Sequence, residues 1–86
     1  MIQKYPFIVI FYKSKVYGYF PDIKKIVIES ELVSTCLSCA KKELEGEMEK
    51  YKNTNRQFPI PNHLYYYIKN EKYDYPVYVT YITISI

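Results

Sequence analysis

The first third of the chain alternates short apolar runs with brief polar breaks. Residues 5–12 and 16–20 are rich in β-branched and aromatic side chains, and a third run begins at Ile26. The breaks between them are Lys13-Ser14-Lys15 and the turn residues Pro21-Asp22. Runs of this composition bounded by turn residues predict strands, and short breaks between consecutive strands predict an antiparallel meander.

The spacing of apolar residues then lengthens to three or four, which is the period of a helix. This pattern predicts an amphipathic helix of about five turns, starting near Leu32 and ending at residues 53–55. Its apolar side carries Val33, Leu37, Ala40, Leu44, Met48 and Tyr51.

Four residues bear on the ends and interiors of these elements. We expect Ser30 to cap the helix and Glu31 to lie in its first turn, where the helix dipole favours negative charge. Gly46 weakens the helix by about 1 kcal/mol relative to alanine. Gly18 is expected to mark a bend or bulge in the second strand.

The second half of the chain predicts one further strand. Pro59 and Pro61 force their predecessors into extended conformations, and residues 62–69 leave room for one short helical turn. Residues 77–86 are rich in Val, Ile, Thr and Tyr and predict the last strand. The order is therefore β-β-β-α-β. We expect a single α+β domain over residues 1–86, with a small, mainly antiparallel sheet and one long helix on one face.

Both faces of this predicted sheet are apolar. In the first strand Phe7 and Val9 point to one side, while Ile8 and Ile10 point to the other. An antiparallel sheet with one wet face alternates apolar and polar residues instead. Since one helix covers one face, either residues 59–69 or another protein chain must cover the second. Large apolar patches mark interfaces, so we favour another chain and predict a homo-oligomer.

Composition excludes several kinds of site. Two glycines among 86 residues cannot form a glycine-rich phosphate loop. The single histidine, His63, has neither a basic nor a nucleophilic neighbour. Asp22 and Asp74 fall in a turn and a loop, so no carboxylate cluster for a two-metal nuclease is formed on the strands.

The sequence context of the two cysteines favours a role in packing over a metal or redox site. Cys36 and Cys39 form a C-x-x-C, but a zinc site needs a second ligand pair, which the sequence lacks. Cys36 lies on the apolar side of the predicted helix and is expected to be a packed thiol. We therefore expect no enzymatic activity and no catalytic, metal or cofactor-binding residue.

The sequence shows no apolar run long enough to cross a membrane and no export leader. A cytoplasmic chain with reduced thiols, making no membrane contact, is expected.

Two surfaces are candidates for binding a protein. Four acidic residues late in the helix form either a solvated face or a docking patch for a basic partner. The proline connection and the aromatic residues after it form the other candidate, because tyrosine suits protein interfaces. These residues are Glu43, Glu45, Glu47 and Glu49 on the helix, and Phe58, Pro59, Tyr65 and Tyr66 on the connection.

A net charge of +3 permits contact with nucleic acid without requiring it. Tyrosines in the second half of the chain, together with basic residues, could stack the bases of single-stranded RNA. These tyrosines are Tyr65, Tyr66, Tyr67, Tyr73, Tyr75, Tyr78 and Tyr81. The basic residues are Lys24, Lys25, Arg56, Lys69 and Lys72. A small RNA-binding module is thus a second hypothesis, which rests on composition alone.

Several local motifs, in this order, resemble the HicB family of antitoxins. Tyr19-Phe20-Pro21-Asp22 matches the Phe-Pro-Asp turn at the end of that family's second strand. Residues 57–62 match its proline connection, and residues 77–84 match its final strand. The family's helix carries apolar residues at steps matched here by Val33, Cys36, Leu37, Ala40 and Leu44.

This resemblance implies a trimmed RNase H-like fold and a protein-binding function. Family members neutralise a small mRNA-cleaving toxin, HicA, and many form dimers or tetramers. The resemblance therefore implies an antitoxin that covers the active site of a HicA-like partner. Many members carry a C-terminal DNA-binding module. No such segment follows the last strand here, so we do not expect operator binding. A solitary structural oligomer without a toxin remains an alternative.

Overall fold

The computed structural model describes residues 2–70 and 72–85, and within these it leaves the side chains of Lys24 and Lys25 undescribed. The predicted role of these two lysines in stacking RNA, and the last residue of the predicted final strand, lie outside the described part. The elements are β1 (Ile2–Tyr12), β2 (Lys15–Phe20), β3 (Ile23–Ser30), α1 (Val33–Asn53), α2 (Leu64–Asn70) and β4 (Val77–Ser85).

The four strands form one antiparallel sheet in the order β3-β2-β1-β4. This confirms the α+β class and the predicted order of strands and long helix. The possible helical turn in residues 62–69 is a seven-residue helix, α2. The third strand begins at Ile23, earlier than predicted, because a shift in register after Tyr19 brings Ile23 opposite Phe20.

The main core lies between the sheet and α1. Tyr5, Phe7 and Val9 project from β1 onto this face and are fully buried. The ring of Phe7 packs on that of Phe20 with centroids 4.7 Å apart. Alternate residues of β1 share one face, which explains why these three enter the core together.

The start of α1 differs from the prediction. The helix begins at Val33, its N-cap residue is the extended Leu32, and no side chain caps it. The Ser30 hydroxyl accepts a hydrogen bond from the Leu32 N–H at 3.3 Å, and no acidic residue lies in the first turn. The predictions for Ser30 and Glu31 were wrong because β3 continues through Ser30, which displaces the helix start by two residues.

The role predicted for Gly18 was also wrong. Gly18 lies in regular register, opposite Val9 on one side and Ile28 on the other. A Cβ atom here would lie 2.2 Å from Phe7 Cζ and 2.8 Å from Cys36 Sγ. The position is therefore glycine because the Phe7 ring and α1 approach the strand closely, and no bend is involved.

We predict that Gly46→Ala stabilises the protein. Gly46 is an exposed residue inside α1, and an added Cβ would meet nothing within 4 Å. Alanine is favoured over glycine in a helix interior by about 1 kcal/mol. Urea unfolding monitored by circular dichroism is expected to show this gain, and an unchanged or lower midpoint would contradict it.

The chain crosses from one face of the sheet to the other after α1. Phe58 still packs against the main core beside Tyr51. The Tyr5 hydroxyl then donates a hydrogen bond to the Pro59 carbonyl oxygen at 2.8 Å. Beyond the prolines, α2 packs on β4, and the Leu64 N–H donates to the Tyr81 hydroxyl at 2.9 Å.

The second face of the sheet is therefore covered at its centre by the chain itself. Ile8 lies on this face, opposite Val79 of β4, and is fully buried, as is its neighbour Pro6. Of the two predicted alternatives, cover by the chain's own segment holds for the central part, because residues 59–70 lie there. The preference for another chain was wrong at this place. Coverage ends towards β3, where Val27 is 71% exposed.

Candidate functional site

The Phe-Pro-Asp turn holds the crossing segment in place through Asp22. The Asp22 carboxylate accepts hydrogen bonds from the Asn62 amide at 3.0 Å, from the Asn62 backbone N–H at 3.3 Å and from the Tyr67 hydroxyl. The Asn62 amide also donates to the Tyr67 hydroxyl at 3.0 Å. One carboxylate in the β2–β3 turn thus fixes both the end of the connection and α2.

The sequence analysis placed Asp22 in a family-like turn and did not connect it to residues 62 and 67. An available signal was the polar Asn62 directly after two prolines, in a segment that must turn back onto an apolar face. The Tyr67 side chain is buried although its neighbours Tyr65 and Tyr66 are exposed. A single tyrosine turned inward from such a run needs a partner for its hydroxyl.

This environment perturbs the ionisation of Tyr67. Burial and the hydrogen bond to Asp22 raise the pKa of Tyr67 from its ordinary 10.0 to about 12. Burial, followed by the Asp22 charge, also raises the pKa of Tyr5. Both hydroxyls therefore stay protonated and donate hydrogen bonds across the neutral range.

We predict that Tyr67 makes stability fall at alkaline pH. Because its pKa is higher in the folded chain than in the unfolded chain, its contribution is complete below pH 10 and is lost as the pH rises towards 12. Urea unfolding at pH 9 and pH 11 is expected to show a larger loss for the wild type than for Tyr67→Phe. Equal losses would contradict the assignment, since the other tyrosines are common to both proteins.

The acidic stretch of α1 does not form one patch. Because a helix turns about 100° per residue, Glu43 and Glu45 point to different sides. Glu43 lines a groove against β3, whereas Glu45 and Glu49 line a groove of about 210 Å³ beside Ile84 of β4. The four residues therefore do not share one surface, and their binding of a partner stays a prediction.

Glu47 differs from the other three glutamates because it is buried. It is buried among the core-facing residues of α1, with 9% of its surface exposed. Its carboxylate lies 3.9 Å from the Lys50 ammonium group. It lies on the inner side of the helix, one residue before the core residue Met48, and is not available to a partner.

The four residues predicted to bind a partner on the connection differ in exposure and form two pairs. Phe58 and Pro59 are partly buried, and they hold the connection against the core through a ring contact and a backbone hydrogen bond. Tyr65 and Tyr66 are exposed, at 62% and 48%. With Ile68, which is 51% exposed, they give α2 an apolar outer side. We call these three residues the α2 surface.

His63 and Cys36 have structural roles, whereas none is seen for Cys39 in the described part of the chain. The Nδ1 atom of His63 accepts the Tyr65 N–H at 3.1 Å, which satisfies a donor at the start of α2. Cys36 is fully buried, as its position on the apolar side predicts, and burial raises the pKa of its thiol. Cys39 is exposed, and both thiols are free.

Some tyrosine rings pack against cations of the same chain, and Tyr81 is the one among them that was proposed for RNA stacking. The Arg56 guanidinium lies 4.3 Å from the ring centre of Tyr51, and the Lys4 ammonium lies 4.9 Å from that of Tyr81. These two pairs lie at different places, on α1 and on the second face of the sheet.

Within residues 2–70 and 72–85, no group of His, Cys, Asp or Glu is placed to hold a metal ion. In the same part of the chain, neither helix is long and apolar enough to cross a membrane.

The architecture is that of a small α+β protein whose four-stranded antiparallel sheet carries a long helix on one face and a short helix on the other. Among solved structures it is similar to a chain of a toxin–antitoxin complex from Streptococcus pneumoniae, with a TM-score of 0.80. The similarity covers 99% of this chain and 70% of that chain, at 13% sequence identity. At this identity the likeness shows a shared fold. No protein-family model and no curated protein matches the sequence.

Proposed function

We propose that this chain is the antitoxin of a HicAB-type pair, which binds an mRNA-cleaving toxin and blocks its active site. The observation that carries the proposal is the fold shared, over nearly the whole chain, with a chain of a toxin–antitoxin complex. The Phe-Pro-Asp turn adds to it, because Asp22 holds the proline connection that the sequence resemblance also includes. An inhibitor that covers an active site needs a complementary shape and charge, and it needs no catalytic residue of its own.

The α2 surface is the best candidate for the contact with the toxin. Tyr65, Tyr66 and Ile68 expose apolar and amphipathic side chains on a helix that Asp22 fixes in place. Rigid tyrosines of this kind supply contact area at small entropic cost. The groove beside Glu45 and Glu49 is the second candidate, since it presents two carboxylates to a basic partner.

Co-expression tests the proposal. The small protein encoded next to this chain is expressed from an inducible promoter, with and without the chain, and growth and messenger RNA integrity are followed. We expect arrested growth and cleaved mRNA without the chain, and recovery with it. A neighbouring product that is harmless, or a toxic one that the chain fails to neutralise or bind after purification, would overturn the proposal.

Matched variants locate the contact. Tyr65→Ser combined with Tyr66→Ser changes the α2 surface, whereas Glu45→Lys combined with Glu49→Lys changes the groove beside β4. Glu43→Lys on the opposite side of α1 serves as the control. We expect the tyrosine pair to abolish rescue, with the control retaining it. Rescue lost only with the glutamate pair would assign the contact to the groove.

A further inference from the structure

The two edges of the sheet differ in how well they are protected from pairing with another strand. An edge strand presents unpaired backbone groups, and charged residues or irregularities normally discourage pairing there. The β3 edge carries Glu29, and the register shifts where β3 pairs with β2. Glu29 is also ion-paired to Lys15 of β2 at 2.9 Å.

The β4 edge has none of these features. Val77–Ser85 has the sequence VYVTYITIS, nine residues without a charge, a proline or a glycine. Its pairing with β1 runs without a register shift from Ile10↔Val77 to Ile2↔Ser85. In the described part of the chain, no hydrogen bond joins the β4 backbone to anything except β1.

The register shows which residues direct their backbone outward. Phe11 N–H donates to the Pro76 carbonyl oxygen at 2.9 Å, so Phe11 and Pro76 form a hydrogen-bonded pair. Such pairs alternate along an antiparallel ladder. The residues of β4 that bond to β1 are therefore the even-numbered ones. The outward N–H and C=O groups belong to Val77, Val79, Tyr81, Thr83 and Ser85.

We propose that β4 pairs antiparallel with β4 of a second copy of this chain, on a two-fold axis at Tyr81. This register places Tyr81 opposite itself, Val79 opposite Thr83, and Val77 opposite Ser85. It uses every outward residue of the strand and leaves none unpaired. A two-fold interface must be complementary to itself. An uncharged strand meets this condition, because pairing with its own copy brings no like charges together.

The side chains at this edge fit the same register. Tyr78 is 45% exposed and would lie opposite the partner's Ile84, on the face that carries α1. Ile68 of α2, together with Val77 and Val79, lines a shallow groove of about 290 Å³ at the same edge. Pairing would join the two sheets into one and add apolar cover where each is still exposed. The dimer is independent of any toxin and does not rest on the proposed function.

Light scattering coupled to size exclusion tests the dimer, and Thr83→Pro tests its location. Proline removes the outward N–H of Thr83 while the ladder to β1 is kept, and proline is tolerated at edges. We expect the wild type to elute at twice the 10.4 kDa of one chain. Thr83→Pro should elute as a monomer with an unchanged circular dichroism spectrum.

Two glutamate variants keep the test decisive if Thr83→Pro does not fold. Thr83→Glu places a charge at the proposed seam, and Val27→Glu places the same charge on the exposed β3 edge. We expect at least a tenfold weaker dimer for the first and no change for the second. A wild type that is monomeric at high micromolar concentration, or a dimer that persists in folded Thr83→Glu, would overturn the proposal.

Discussion

Gly18→Ala is expected to destabilise the protein by about 3 kcal/mol, at the upper end of the range for overpacked cores. The added methyl group would lie 2.2 Å from Phe7 Cζ, 2.6 Å from Phe7 Cε2 and 2.8 Å from Cys36 Sγ. Phe7 and Cys36 are fully buried, so neither has free space to move into. Urea unfolding compared with the wild type measures the loss.

A rescue and a control separate steric overlap from a general effect of alanine. Phe7→Leu shortens the side chain that collides, so the double variant with Gly18→Ala should lose less than the sum of the two single losses. Gly46→Ala makes the same chemical change in open space and should act in the opposite direction. A Gly18→Ala protein as stable as the wild type would show that the Phe7 ring does not lie against the strand.

Asp22→Ala is expected to cost about 2 kcal/mol and to loosen the segment that covers the second face of the sheet. Hydrogen bonds to a charged acceptor contribute about 1.5–3 kcal/mol each when measured singly. The contributions here overlap, because Asn62 and Tyr67 share one carboxylate that is partly exposed. Urea unfolding measures the loss of stability, and limited trypsin digestion measures the loosening.

Cleavage after Arg56, which precedes the segment, and after Lys69, which lies near its end, should become faster in Asp22→Ala. Asp74→Ala removes a carboxylate of the same type from the exposed loop before β4 and should change neither stability nor digestion. Cleavage at an unchanged rate in Asp22→Ala would mean that the packing of Ile8 and Leu64, and not the carboxylate, holds the segment in place.

Much of the fold could be predicted from local signals. Runs of β-branched and aromatic residues between turn residues identified the strands. The period of three to four identified α1, because it reflects which side of the helix each residue faces. The start of α1 was misplaced because Ser30 is a good capping residue by type, but its backbone is required by β3. Local preference was overridden by strand pairing there.

The contacts that define the candidate site could not be predicted in this way. Asp22 and Tyr67 are 45 residues apart, and no periodicity links a turn to a distant helix. The acidic stretch was misjudged for a related reason. Charge alone suggests a surface, whereas the direction of Glu47 depends on its angle around α1 relative to Leu44 and Met48. The glycine at position 18 likewise depends on a distant contact, because the Phe7 ring of β1 lies against β2 at this point.

The pairing of β1 with β4 has a consequence for how the chain acquires its structure. Ile2 lies opposite Ser85, so this ladder closes a loop of nearly the full chain. The β1–β2–β3 meander and α1 need only nearby residues, but β1 stays unpaired on one side until β4 has been synthesised. Such long-range pairing slows folding. Nascent chains on the ribosome therefore expose this edge of β1 until β4 has emerged, and until then proteases and chaperones compete with the closing strand.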